Sequence, residues 1–173
     1  MAKSEKNVLF VTEKWCDADP NKGLTNNYHN LFKTFRNIYP DTKFNIIHID
    51  EYSMVKKQHI DNFLPTLVDR QNPDVVIFSL LGKSHLNPTD ASYKHIKDKG
   101  CKTIFMWPDV FQGWGIEQIE EFNQKQFADL HVCWGAEKNL TKEYDNLVWL
   151  WAPQDENLYH PLNNNEQQTI PVS

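Results

Sequence analysis

Apolar and polar residues alternate in this chain at the scale of whole elements rather than of single positions. Short, continuous apolar runs lie at 7–12, 43–49, 74–79, 103–107, 129–134 and 147–151. Each is rich in β-branched or aromatic residues, the pattern of a strand buried on both faces. The stretches between them carry helical periodicity. Thr25 is placed to cap a helix running to about Ile38, with Tyr28, Leu31, Phe32 and Phe35 on one face. Tyr39 and Pro40 stop it. A second helical stretch is predicted over 53–70, interrupted or kinked at Pro65. A third opens at Asn87 and Pro88 and ends at Lys99 and Gly100, a good C-terminal stop. Two more separate the last three strands. Alternation of this kind predicts an α/β, doubly wound, mostly parallel sheet of about six strands, Rossmann-like in class. The turns leaving the carboxyl ends of such strands open on one edge, where ligands bind.

The pattern also sets the expected domain limits. Residues 1–161 read as one Rossmann-like domain. Residues 163–168 are only Asn, Glu and Gln, a linker composition, and 169–173 turn apolar again. This predicts that 162–173 are a linker and the start of a missing second domain.

Charge and cysteine usage narrow the classes. The formal net charge is −5, so nucleic acid is not an expected partner. The three cysteines, Cys16, Cys101 and Cys133, form no C-x-x-C pair, which fits a reducing, cytoplasmic setting and speaks against structural zinc. No apolar run is long enough to span a bilayer.

Familiar nucleotide signatures fail. The loop after the first strand holds one glycine, Gly23, and no G-x-G-x-x-G. Asp50 and Glu51 stand where a ribose-binding carboxylate would, but their plainer reading is a solvated strand end. Gly82, Lys83 and Ser84 resemble the tail of a P-loop, yet Ile77 replaces its upstream glycine, leaving a loop that contacts a ligand at most. A magnesium-dependent receiver site needs a carboxylate after the third strand, where Ser79 and Leu80 stand.

Other side chains at the predicted edge carry more. Five of the six tryptophans fall at or just beyond strand ends, where flat faces suit stacking on sugars or bases. Trp107 and Trp149 read equally as core; Trp15 and Trp114, in polar loops, point to ligand or a second domain. Asp109, in a Trp-Pro-Asp turn outside the fourth strand, is placed to accept a hydroxyl proton or to fix its turn. His85, in the loop after the third strand, is a second candidate base. His131 and Cys133 alternate in a strand with nothing to suggest a metal pair.

A resemblance follows from the order of three motifs: Phe105, Met106, Trp107, Pro108 and Asp109; then Ala128 and Asp129 through Trp134; then Trp149, Trp151, Pro153 and Asp155, closing at Pro161. In this order they resemble the amino-terminal half of a GT-B glycosyltransferase of the group that includes the CgeB-like spore-maturation proteins. Pro153 and Asp155 lie one residue closer than in the commonest form, and the usual glycine before the aspartate is absent. The resemblance implies a two-domain enzyme. Its nucleotide-sugar donor is held mainly by the carboxy-terminal domain, so this domain binds no cofactor of its own, and no metal is required. This half then supplies the acceptor side (glycan, protein or small molecule), with Asp109 first and His85 second as base or acceptor contact. Trp15, Lys22, Gly23, Trp114 and Asp155 would line the cleft. Two alternatives stay open: a non-catalytic module of the same fold that binds a glycan or protein, and a small nucleotide- or flavin-binding protein.

Overall fold

A computed structural model describes residues 6–108, 114–134 and 144–150, the side chains of His29 and Trp114 excepted. The chain runs through β1 (Asn7–Thr12), α1 (Thr34–Ile38), β2 (Lys43–His48), α2 (Ile49–Lys56), α3 (Leu64–Gln71), β3 (Val75–Ser79), α4 (Asp90–Asp98), β4 (Lys102–Trp107), α5 (Trp114–Gln124), β5 (Leu130–Cys133) and β6 (Leu147–Trp149). The six strands form one sheet in the order β2-β1-β3-β4-β5-β6, with every pairing parallel. The protein is an α/β fold of the doubly wound class. The strand order reverses between β1 and β3, which puts the topological switch point beyond Thr12 and Ser79.

Strand alternation divides the core into two layers. Leu9, Val11, Val76, Phe78, Phe105 and Trp107 face the layer completed by Leu64, Leu67, Ile96, Ile119 and Phe122 from the helices that follow β2, β3 and β4. Stacked rings fill its centre: Phe78 and Phe105 lie 4.8 Å apart, and Phe122 meets Phe105 edge-on at 4.6 Å. Val8, Phe10, Ile77, Met106 and Val132 face the opposite layer, against Leu31 and Phe32. Those two residues lie in a π-helical stretch, Tyr28–Lys33, that leads into α1.

The expected helix over 53–70 is two helices. The chain turns directly from β2 into α2, so Ile49 and Asp50 occupy a first helical turn. The helix stops at Lys57, whose φ of 54° is left-handed. Pro65 does not kink a helix; it sits in the first turn of α3, where a missing N–H breaks no helical bond. The stop at Gly100 is as expected. Its φ of 78° lets its own N–H reach Lys97 O (2.9 Å) and the Cys101 N–H reach Ile96 O (3.3 Å), a Schellman closure. Among the described residues no helix is long and apolar enough to cross a membrane. The expected linker and second-domain start lie outside the described residues.

Candidate functional site

The switch point holds a cleft of about 510 Å³. The chain leaving β1 forms one wall, with Glu13, Asp17 and Ala18. Asn27 enters from the helix start. The loop after β3 contributes Leu80 through Ser84, and the end of β4 contributes Met106, Trp107 and Pro108.

The first wall is held from below by Asp50. This side chain is fully buried, and its carboxylate accepts from the backbone N–H groups of Lys14 (2.8 Å), Trp15 (2.9 Å) and Glu51 (2.8 Å). It is therefore neither a solvated strand end nor free for a ribose. Its place in the first turn of α2 adds the favourable end of a helix dipole. Beyond it the loop closes on itself: Trp15 bridges Leu24, Cys16 N donates to Gly23 O at 3.0 Å, and Thr25 N donates to Lys14 O at 2.9 Å. Asp17 and Ala18 both sit at left-handed φ, 53° and 56°. Each such residue other than glycine costs about 1 kcal/mol or more, and strain of this kind gathers at functional sites.

Among the titratable residues lining the cleft, Glu13 has a shifted carboxyl. It is half-buried, and Thr25 Oγ1 donates to its Oε1 at 2.8 Å. Burial pushes its carboxyl above the usual range; the Thr25 hydrogen bond opposes this, and the charges of Asp50 and Asp17 add to it. Nearby, Asn27 Nδ2 donates to the fully buried Ser79 Oγ at 2.8 Å, tying the helix start to the end of β3. The opposite wall is shaped by Asn87, which accepts from Leu81 N at 3.0 Å and donates to Gly82 O at 2.8 Å. Lys83 is paired with Glu117. The expected contact loop Gly82-Lys83-Ser84 does reach the cleft, without the glycine geometry of a phosphate cradle.

The named site residues scatter. Trp15 is half-buried in the first wall, with the Lys14 ammonium 4.9 Å from its ring centre, and does not line the cleft. Lys22 is exposed and pairs with Asp17 at 2.8 Å. Gly23, at φ 81°, shapes the same loop. His85 is exposed and lines a different cavity, with its carbonyl 3.0 Å from His59 Nε2. Asp109, Asp155 and the side chain of Trp114 lie outside the described residues, although Pro108, next to Asp109, lines the cleft. Glu13 and Asn27 were not singled out from the sequence. A carboxylate directly after the first strand is the sequence signal for Glu13.

Comparisons with protein families, with curated proteins and with solved structures find no match to this chain.

Proposed function

We propose that this chain is the acceptor-binding half of a glycosyltransferase, with the switch-point cleft as its site and a neutral, hydroxylated acceptor as its ligand. The motif order from Phe105 to Pro161 supports the family reading. The charge of the cleft supports the choice of ligand. Of the charged side chains on its wall, Asp17 is paired with Lys22 and Lys83 with Glu117, so the cleft concentrates no unpaired positive charge for a diphosphate, in keeping with a nucleotide-sugar donor held by another domain. The observation that carries the reading is Glu13, a half-buried carboxyl with a raised pKa on the cleft wall, suited to take a proton from an acceptor hydroxyl. Asp109, beside Pro108, is the second candidate for that role. Titration of the ¹⁵N-labelled chain tests the ligand class. Neutral saccharides should move the amides of Glu13, Asn27 and Gly82 saturably, and uridine diphosphate should not. Saturation of the same amides by the diphosphate alone would overturn the acceptor-side assignment.

A further inference from the structure

A second cavity, about 450 Å³, lies across the β3 exit loop from the cleft, between α4 and α5. We propose that it binds a small organic ammonium compound, such as a short diamine, through Tyr93 and Gln118.

Two buried polar atoms on its lining have no partner among the described residues: the Tyr93 hydroxyl and the Gln118 side-chain oxygen. Tyr93 is only 2% exposed. Its ring is fixed among Phe78, Phe105 and Phe122, at centroid distances of 5.3, 5.6 and 5.2 Å. Burial first, then the charges of Asp61, Asp90 and Glu121, hold its hydroxyl protonated far above neutral pH. Gln118 spends its amide group on Gly82 O at a long 3.4 Å, while its oxygen stays unsatisfied. Leaving two such buried atoms unpaired costs the fold their lost hydration. A ligand that donates hydrogens to both recovers that cost.

The surrounding charge selects the donor. Asp90, Glu117 and Glu121 line the cavity. Lys125 reaches Asp90 at 2.7 Å and Glu121 at 2.6 Å, and Lys83 pairs with Glu117. Two lysines against three carboxylates leave one net negative charge, and each of these pairs engages one carboxylate oxygen. An anion is repelled. An ammonium group carries the missing charge and has three N–H donors for Gln118, Tyr93 and a free carboxylate oxygen. Leu80, Pro88 and Phe122 offer an apolar wall for a short carbon stem.

The test is a titration of the ¹⁵N-labelled chain with 1,4-diaminobutane, beside 1,4-butanediol and succinate at equal ionic strength. The diamine should saturate shifts in α4 and α5, and both Tyr93→Phe and Gln118→Leu should weaken it about tenfold or more. Because the Tyr93 hydroxyl has no partner in the fold, Tyr93→Phe should melt at or above the wild-type temperature. Absence of saturable diamine binding, equal binding of the diol, or a clear loss of stability in Tyr93→Phe would each overturn the proposal. Glu13 and Asn27 line the switch-point cleft and not this cavity, so their amides report on the cleft separately and the result does not depend on the acceptor reading.

Discussion

The indole N–H of Trp107 donates to Nδ1 of His131 at 2.9 Å inside the core. The bond joins the last residue of β4 to β5 and decides the state of the imidazole. With Nδ1 accepting, the ring proton sits on Nε2, which donates to Asn123 Oδ1 at 3.1 Å. Asn146 Nδ2 donates to that same oxygen at 2.8 Å. A chain of polar groups thus runs from β4 through β5 and α5 to the approach of β6. Trp107 is 3% exposed and His131 fully buried, so the bond lies in the core, although Trp107 also reaches the wall of the cleft.

Acid should weaken the fold through His131. Burial lowers its pKa from 6.5 to about 4. The unfolded chain therefore takes up the proton first, and the stability held above pH 6.5 is lost as pH falls toward 4. At about 1.4 kcal/mol per pH unit the loss approaches about 3 kcal/mol. Burial also lowers His48, which adds to the slope in the same direction. Urea midpoints measured across this range should fall with pH, and His131→Gln should flatten the slope to what the other shifted groups leave, His48 in the same direction and Glu13 in the opposite one. An unchanged slope in the variant would remove His131 as its source.

Asp129 acts in a lower window. Burial raises its carboxyl, but hydrogen bonds from Lys97, the Thr103 backbone and Lys102 outweigh that and bring it from 3.8 to about 2. Its contribution is complete above about pH 4 and fades as pH falls toward 2. Asp129→Asn should cost about 1–3 kcal/mol at neutral pH. The gap to the wild type should close as the buffer approaches pH 2, which denaturant titrations at several pH values will read.

Local rules carried most of the fold. The run from Asn7 to Thr12 is a strand end to end, and Gly100 closes its helix as its type requires. What escaped local reading depends on distant partners. The early start of α2, at Ile49 rather than Ser53, places Asp50 beneath the β1 loop, in a pairing across 36 residues with Lys14 that no window of sequence contains. The same holds for the site. That it lies outside the carboxyl ends follows from the strand pattern, and the Gly82 loop reaches it. The turns at Gly82 and Ser84 place His85 in the neighbouring cavity, and nothing in the sequence around it reports that turn.

Asp50 is testable as the anchor of the first wall. Asp50→Ala leaves the N–H groups of Lys14, Trp15 and Glu51 without their acceptor and should cost at least about 1–3 kcal/mol. The loosened loop frees the backbone around Lys14 and Lys22 to enter a protease, so trypsin should cut there faster than in the wild type, before global unfolding. Equal cleavage rates would show that the Trp15–Leu24 bridge and the Thr25–Lys14 bond hold the loop alone.

Glu13 should behave as a residue kept at a cost to the fold. Its pKa is raised from 4.5, so the folded chain holds the proton where the unfolded chain has released it. Stability therefore declines as pH rises from 4.5 through the folded value, and stays lower at neutral pH. Glu13→Gln removes the titration, while the amide oxygen still accepts from Thr25 Oγ1. At pH 7 the variant should melt at or above the wild type, and the two should coincide below about pH 4.5. Stability gained by neutralising a cleft carboxylate is the mark of a group retained for its chemistry. In a glycosyl-transfer assay, the same change should lower kcat about 10²–10⁴-fold if Glu13 is the base. A variant less stable than the wild type at pH 7 would make the ionised carboxylate a structural group and leave the proton-accepting role to Asp109.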